Sequence, residues 1–289
     1  MENKDSSKHS SSTKDSLKSN SSIKDSSKNS STLLIIMLII IIVLYGVNLF
    51  YINNLSKGSP STSKVEMIHL FDTNCTDCVD LKPFFEQFSQ LGINLETKNV
   101  DISSSQGKKL ITKYKIEAVP TIIFSKEIST NAQIAQVWEQ VGTIEEDGSY
   151  VMRELTPPYK ELDTGNVRGL VNVTYLSDTN CKECYDVMFH KDILTQMGIK
   201  ITSEKTIDYF EMMASSDDSK NLIEKYNITK IPTVIISKEA EVYASVKKAW
   251  ELVGTQEEDG VFIFRNIELL GDKVYHDLVT GLIISGKTE

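Results

Sequence analysis

The segment DTNCTDC, residues 72–78, recurs as DTNCKEC, residues 178–184, and the two segments contain all the cysteine of this 289-residue chain. Each is followed at a similar distance by an aliphatic residue, a proline and a threonine, at 119–121 and 231–233. Two thiols separated by two residues can close into a small disulfide ring and reopen, which is the minimum for exchanging electrons with another protein's disulfide. The candidate catalytic residues are therefore Cys75, Cys78, Cys181 and Cys184.

An internal repeat extends well beyond the cysteines. Cys75 lies 106 residues before Cys181, and Pro120 lies 112 residues before Pro232. The tetrapeptide Glu-Glu-Asp-Gly at 145–148 returns unchanged at 257–260. A repeat of about 110 residues has the size of a domain and is much too long for a solenoid unit. The sequence therefore predicts two homologous domains, at 64–165 and 166–289.

Hydrophobic periodicity within the first copy predicts alternating strands and helices. Apolar residues at helical spacing indicate helices over 81–91 and 108–114, the first of which would end at Gly92. The predicted strands are 65–71, 93–100, 121–124, 136–141 and 150–152, with the Glu-Glu-Asp-Gly segment as a turn between the last two. The order β-α-β-α-β-β indicates an α/β fold.

The combination of C-x-x-C, Pro-Thr loop and repeat resembles the thioredoxin superfamily, in particular its tandem-domain protein disulfide oxidoreductases. The resemblance covers residues 64–289 and rests on the cysteine segments and on the runs that precede Pro120 and Pro232. It implies two thioredoxin-like domains in which each C-x-x-C opens a helix and each proline is cis. It further implies substrate-binding loops whose residues are Val119, Pro120, Ile231 and Pro232.

The resemblance also implies a division of roles between the cysteines. Cys75 and Cys181 at helix N-termini are expected to be exposed nucleophiles, because the positive end of a helix dipole favours a thiolate. Cys78 and Cys184 are expected to be more buried and to resolve the mixed disulfide. Pro83 occupies the position at which thioredoxins kink this helix, whereas the second copy has Phe189 there.

Two features depart from the thioredoxin pattern. Thioredoxins carry tryptophan before the first cysteine, and both copies here carry asparagine. The buried acidic residue that thioredoxins place six residues before the nucleophile is replaced by His69 and Tyr175. His69 lies on an apolar strand and is expected to be a hydrogen-bonded core residue. Trp138 and Trp250 are likewise expected to pack in the core.

The first 63 residues differ in composition from the rest. Residues 1–32 are rich in serine and lysine with almost nothing to bury, so they are expected to form a disordered tail. Residues 33–52 are apolar and uncharged for 20 positions, enough for one transmembrane helix, and 53–63 form a linker. A cleaved signal peptide is the alternative, but its apolar core would be about 7–15 residues after a short charged segment.

Charge predicts the topology and restricts the partners. Six lysines precede the span and only two follow it closely, so the tail is expected to be cytoplasmic and the domains extracytoplasmic. Of the net charge of −9, the tail contributes +2 and Lys57 +1, which leaves −12 for residues 64–289. Such an acidic region argues against nucleic acid as a partner. Client proteins with thiols or disulfides and a membrane redox partner are expected instead.

Other interpretations of the cysteines remain at this stage. Zinc binding is disfavoured because 102 residues separate Cys78 from Cys181, far more than the roughly 15–20 of zinc ribbons. No metal and no cofactor other than the two redox disulfides is predicted. Permanent structural disulfides are disfavoured because so small a ring removes little entropy from the unfolded chain. A redox-inactive, membrane-anchored scaffold that binds clients is the alternative function, and the direction of electron flow is not encoded.

Overall fold

The computed structural model describes residues 64–90, 93–214 and 221–285. The predicted tail at 1–32, the span at 33–52, the linker at 53–63 and the helix-ending Gly92 lie outside these residues. Within the described part of the chain, no helix is both long enough and apolar enough to cross a membrane.

A five-stranded sheet organises the first copy. Strand β1 (Val65–Phe71) runs parallel to β2 (Leu95–Asp101) and antiparallel to β4 (Thr121–Phe124). Two short strands, β5 (Gly142–Ile144) and β6 (Tyr150–Met152), complete the order β2-β1-β4-β6-β5. The predicted strands at 65–71 and 121–124 are confirmed to the residue, because their apolar side chains are buried in the middle of the sheet.

Three helices accompany this sheet: α1 (Lys82–Gln90), α2 (Ser105–Tyr114) and α3 (Ala132–Val137). Helix α2 begins where the Ser104 hydroxyl accepts a hydrogen bond from the Gly107 N–H at 2.9 Å. The chain leaves α2 through Lys115, which is left-handed at φ 51°. Two short 3₁₀ helices lie beside α3, at Lys126–Thr130 and Trp138–Gln140.

The second copy repeats this arrangement. The strands are β9 (Val171–Ser177), β10 (Ile201–Asp208), β12 (Thr233–Ile236), β13 (Gly254–Gln256) and β14 (Phe262–Phe264). They form a sheet with the order β10-β9-β12-β14-β13, the counterpart of the first. The helices are α4 (Phe189–Gln196), α5 (Tyr209–Ala214), α6 (Asn221–Lys225) and α7 (Ala244–Val253), with 3₁₀ turns at Lys238–Val242 and Ile267–Leu270.

Each copy also carries a small three-stranded sheet that the sequence did not predict. In the first copy it comprises β3 (Ala118–Val119), β7 (Tyr159–Glu161) and β8 (Val167–Arg168). Its counterpart comprises β11 (Lys230–Ile231), β15 (Val274–Asp277) and β16 (Leu282–Ser285). Strand β8 lies beyond residue 165, so the hydrogen bonding of the first copy runs past the predicted junction. These sheets bring late residues of each copy beside its proline loop.

The predicted strand at 136–141 is wrong, because this segment is helical. The Asn131 side chain caps α3 by accepting hydrogen bonds from the Gln133 and Ile134 N–H groups, both at 3.1 Å. Ile134 and Trp138 are both buried and lie four residues apart, which is the helical period. The strand that pairs with β6 starts only at Gly142.

Apolar clusters pack on both faces of each sheet. Trp138 and Trp250 are nearly fully buried in them, which confirms their assignment to the core. The Glu-Glu-Asp-Gly segments are turns, as predicted: the Gly148 N–H donates to the Glu145 carbonyl at 2.8 Å. Gly148 and Gly260 have φ values of 84° and 83°, a left-handed conformation that favours glycine.

Candidate active site

Both C-x-x-C pairs are closed disulfide rings placed just after the first strand of their sheet. Cys75 is bonded to Cys78 and Cys181 to Cys184, with Cα–Cα distances of 5.4 and 5.3 Å. The four cysteines leave no free thiol in the described part of the chain. Each ring is therefore oxidised and can accept two electrons, and it lies just after a buried strand.

The rings do not open a helix, which corrects the expectation for Cys75 and Cys181. Helix α1 begins only at Lys82 and α4 only at Phe189, and a turn separates each ring from its helix. In each turn an aspartate side chain binds the backbone two residues on: Asp80 accepts from the Lys82 N–H and Asp186 from the Met188 N–H, both at 2.9 Å. These local hydrogen bonds compete with helix extension toward the cysteines.

Pro83 has a different role from the one expected. It is the second residue of α1, so it helps to start the helix and does not kink it. Its missing N–H would have had no partner within the helix at that position. Since α1 and α4 begin beyond the rings, neither Cys75 nor Cys181 lies at the N-terminus of these helices, where a dipole would favour a thiolate.

Exposure of the cysteines differs between the two rings. In the first ring, both cysteines are partly exposed. In the second, Cys181 is only 9% exposed, whereas Cys184 is partly exposed. The expectation of an exposed first cysteine and a more buried second one is thus wrong for the closed second ring.

The proline loops lie beside the rings as the resemblance implied. The Val119–Pro120 and Ile231–Pro232 peptide bonds are both cis. The Cys78 Sγ lies 3.8 Å from the Val119 carbonyl oxygen, which joins the first ring to its loop directly. The side chains of Val119 and Ile231 are fully buried, so only the backbone of these two residues can be accessible from outside.

A threonine after each proline anchors the loop to the sheet. The Thr121 hydroxyl donates to the Met152 carbonyl at 2.7 Å, and the Thr233 hydroxyl donates to the Phe264 carbonyl at 2.5 Å. Both threonines are almost fully buried. The Pro-Thr pairing of the sequence therefore reflects a structural need of the loop.

A buried carboxylate lies three residues before the first ring, and the sequence analysis did not predict it. Asp72 is 7% exposed and accepts a hydrogen bond from the Asn74 N–H at 2.9 Å. Its other oxygen lies 2.6 Å from the Lys160 Nζ, which reaches it from β7. Burial opposes ionisation, but the bonds from Lys160 and Asn74 outweigh it and hold the pKa of Asp72 below its usual range.

The second ring has the same carboxylate with a different partner. Asp178 is 7% exposed, and its Oδ1 accepts from the Asn180 N–H at 3.0 Å. Its Oδ2 lies 2.7 Å from the Nδ1 of His276, which comes from β15. The repetition of Asp-Thr-Asn before both first cysteines was the signal in the sequence that could have revealed these aspartates.

A second aspartate holds each ring loop from the neighbouring strand. Asp101 ends β2 and accepts from the Thr73 N–H at 2.8 Å, and Asp208 ends β10 and accepts from the Thr179 N–H at 2.7 Å. Hydrogen bonds from Ser103 and Thr73 hold the pKa of Asp101 far below its usual range. These carboxylates stay ionised and fix the residues that lead into the rings.

The second copy adds a buried tyrosine and histidine behind its ring. Tyr185, next to Cys184, donates its hydroxyl to the Pro232 carbonyl at 2.7 Å and lies 2.9 Å from the His190 Nε2. Burial lowers the pKa of His190 to about 4, so this imidazole is neutral at physiological pH. A neutral Nε2–H can donate to the tyrosine oxygen, and the chain of two hydrogen bonds then fixes the proline loop.

The residues at the thioredoxin acid position have structural partners. His69 is buried and its Nδ1 lies 3.0 Å from the Asn99 Oδ1, which confirms the hydrogen-bonded core assignment. Burial lowers the pKa of His69. The Tyr175 hydroxyl donates to Glu204 at 2.9 Å. Neither side chain is an acid, so the buried acidic residue of thioredoxins has no replacement at this position.

Residues 53–145 match the family model described as Thioredoxin, a segment that contains the first C-x-x-C pair and Pro120. This segment is similar to a thioredoxin domain. No curated protein matches the chain.

Two solved structures are similar to this one at low identity. The alkylhydroperoxide reductase AhpF of Enterococcus faecalis (V583), in a mutant form, is 18% identical with a TM-score of 0.19, and the match covers 61% of this chain and 82% of that chain. Human ERp44 form I is 14% identical with a TM-score of 0.17, and the match covers 60% of this chain and 44% of that chain.

Proposed function

We propose that this protein is a membrane-tethered thiol–disulfide oxidoreductase that acts on extracytoplasmic client proteins through two C-x-x-C sites. The observation that carries the proposal is the repeated arrangement of a closed C-x-x-C ring against a cis-proline loop. The similarity of residues 53–145 to a thioredoxin domain supports it for the first site. The second site is assigned by its equivalent sheet order and ring geometry.

The reaction is a reversible transfer of two electrons between a ring and a client disulfide. In the reducing direction, a Cys75 thiolate attacks one client sulfur, so a Cys75–client bond forms, the client disulfide breaks, and the other client sulfur leaves as a thiolate. A Cys78 thiolate then attacks Cys75, which closes the ring and releases the second client thiolate. The client gains two electrons and two solvent protons, and the ring loses two electrons. Oxidation of a client dithiol runs the same steps backwards.

Cys181 and Cys184 perform the same two steps in the second site. Because Cys181 is the more buried residue of the closed second ring, its attack needs the segment around 179–182 to shift when the ring opens. The backbone edge at Val119 or Ile231, beside each proline, is where an extended client segment would align next to the sulfurs.

The tether and the topology rest on the sequence. The uncharged segment 33–52 anchors the chain in the membrane, and the lysine-rich tail stays in the cytoplasm. Both domains then face an oxidising compartment, where disulfide formation or isomerisation is favoured. A membrane redox partner restores the rings after each cycle, because the span has no cysteine to carry electrons itself.

The test is an enzyme assay with matched cysteine variants. Full-length protein should reduce insulin in the presence of dithiothreitol and should reactivate scrambled ribonuclease. The variant with Cys75→Ser and Cys181→Ser together should lose both activities, while each single variant should keep part of them. If the unmodified protein binds unfolded clients but never turns over, the scaffold function replaces the enzyme.

A further inference from the structure

The chain passes from the first copy to the second at Gly169, and the second copy binds this residue through both of its backbone groups. Strand β8 ends at Arg168 and β9 begins at Val171, so two residues link the two sheets. The Gly169 N–H donates to the Glu239 carboxylate at 3.0 Å, and the Gly169 carbonyl accepts from the Tyr243 hydroxyl at 2.7 Å. The link between the copies is therefore fixed by hydrogen bonds to the second copy.

Gly169 is also packed too closely for a side chain. A Cβ at this position would lie 2.6 Å from the Pro157 Cβ of the first copy and 3.2 Å from the Val242 Cγ2 of the second. Carbon atoms that are not bonded to one another attract best at about 3.5–4.0 Å, so the first distance is a collision. Gly169 therefore lies where the two copies touch, with Pro157 on one side and Val242 on the other.

Arg168 joins the same two surfaces by charge. Its Nη1 lies 2.8 Å from Glu161 on β7. Its Nε and Nη2 lie 3.0 and 2.8 Å from Glu239 and Glu241, which belong to the 3₁₀ turn of the second copy. A planar guanidinium binds several carboxylates at once in a fixed geometry. Domains of one chain are expected to move relative to one another unless their interface restrains them, and Arg168 supplies such a restraint.

The segment that packs against this junction also supports the first ring. Pro157, which faces Gly169, is followed by Pro158. The Pro158 carbonyl accepts a hydrogen bond from the Val79 N–H at 2.8 Å, and Val79 directly follows Cys78. A displacement of the second copy at Gly169 would therefore reach, through two adjacent prolines, the backbone that leaves the first ring.

The second ring has the same support without such a junction. The Tyr185 N–H, directly after Cys184, donates to the Val274 carbonyl at 3.0 Å, as Val79 donates to Pro158. The counterpart of Arg168 is Ile284, because each pairs with the tyrosine of the neighbouring strand. Isoleucine has no charge with which to bind carboxylates. The second ring is therefore an internal control for the first.

We propose that Arg168 and Gly169 are positioning residues that hold the second copy against 157–158 and thereby stabilise the closed arrangement of the first ring. The second ring does not depend on this junction. The coupling follows a continuous set of contacts, from Glu239 through Gly169 to the two prolines and on to Val79. It goes beyond the proposed function, because it concerns how the copies are joined and holds whether or not clients are turned over.

The experiment measures hydrogen exchange of two backbone amides in oxidised full-length protein by mass spectrometry. Val79 reports the support of the first ring, and Tyr185 reports that of the second. Gly169→Ala, whose new methyl group forces the copies apart, should speed exchange at Val79 about tenfold and leave Tyr185 unchanged. Gly165→Ala is the matched control and should change neither amide. Gly165 has a similar φ of 73°, but a Cβ there would meet no atom within 4 Å.

A second variant acts from the other copy. Glu239→Gln together with Glu241→Gln removes the two carboxylates of the second copy that Arg168 binds. Exchange at Val79 should rise about threefold, again with Tyr185 unchanged. Since the substituted residues and the Val79 amide lie in different copies, such a rise reports the contact between the copies.

Two results would overturn the inference. One is exchange at Val79 that stays at the parent rate in both Gly169→Ala and the double glutamine variant. The other is an equal rise at Val79 in Gly165→Ala, which would show that backbone strain alone is the cause. If Gly169→Ala speeds exchange at Tyr185 as well, the whole chain has unfolded, and the double glutamine variant decides the question.

Reduction by dithiothreitol tests whether the coupling reaches the sulfur atoms. In the double glutamine variant, the Cys75–Cys78 ring should be reduced about threefold faster than in the parent, because fewer contacts oppose movement of the backbone after Cys78. The Cys181–Cys184 ring should be reduced at the parent rate. Equal rates for the first ring in the parent and the variant would overturn the coupling to the ring.

Discussion

Burial of His190 predicts that the stability of the second copy falls in mild acid. The imidazole is 4% exposed, and burial lowers its pKa to about 4 from the 6.5 of an exposed histidine. Between these two values the unfolded chain binds a proton that the folded chain does not. Stability that is fully present above pH 6.5 is therefore lost as the pH falls toward 4.

The size of the effect follows from the two pKa values. Relative to pH 7.5, the free energy of unfolding should fall by about 1 kcal/mol at pH 5.5 and by about 2–3 kcal/mol at pH 4.5 from this residue alone. Replacement of His190 by phenylalanine should remove this loss. Phenylalanine is chosen because it keeps an aromatic ring beside Phe264, whose ring centre lies 4.6 Å from that of His190, and has no titratable group.

The assay is urea unfolding followed by tryptophan fluorescence. The chain has two tryptophans, so a Trp138→Phe background leaves Trp250 as the reporter of the second copy. Denaturation curves at pH 7.5, 5.5 and 4.5 would be compared with and without His190→Phe. Other groups also titrate in acid, but they are the same in the parent and the His190→Phe variant. The difference in unfolding free energy between these two proteins therefore reports His190 alone. Parallel losses in the two proteins would refute the reasoning.

Two other substitutions give expectations in the same tryptophan assay. Tyr185→Phe should lower the free energy of unfolding by about 2–3 kcal/mol, because the buried Pro232 carbonyl and His190 Nε2 both lose the tyrosine hydroxyl as a partner. A loss below about 0.5 kcal/mol would argue against these hydrogen bonds. Arg265→Lys should cost about 1–3 kcal/mol, since the guanidinium donates to the Tyr226 carbonyl at 2.6 Å and to other acceptors that an ammonium cannot reach together. Unchanged unfolding of the lysine variant would contradict that role.

Features that depend on local pattern could be predicted from the sequence. Strands β1 and β4 were predicted from short apolar runs beside turn residues. The internal repeat then predicted the same fold for the second copy. The Cys75–Cys78 and Cys181–Cys184 disulfides could be predicted from the C-x-x-C spacing alone. In each case the decisive residues lie within a few positions of one another.

Features that depend on distant contacts were missed. The Asp72–Lys160 and Asp178–His276 pairs join residues 88 and 98 positions apart. They form because the small sheets place β7 and β15 beside the loops that precede the rings. These sheets could not be predicted, because strands of two to four residues show no clear hydrophobic periodicity.

The expectation that each ring opens a helix, which came from the resemblance, was wrong for a different reason. Asp80 and Asp186 bind backbone N–H groups just after the rings, and these turns delay α1 and α4. The segment at 136–141 contains β-favouring Val137 and Val141, but the Asn131 cap sets the helix that precedes β5. At 136–141 the cap outweighed the apolar pattern, whereas the apolar pattern over 81–91 had predicted α1 almost where it lies.

The most direct test of the central claim is capture of clients on the rings. Membranes from cells that produce full-length protein with Cys78→Ser and Cys184→Ser would be treated with acid and N-ethylmaleimide, and covalent complexes would be separated without reductant. The account predicts client proteins joined through Cys75 and Cys181, released by dithiothreitol and absent when those two cysteines are also replaced. Complexes that persist when Cys75 and Cys181 are replaced would contradict it. The absence of any complex, in a protein shown to be folded, would contradict it as well.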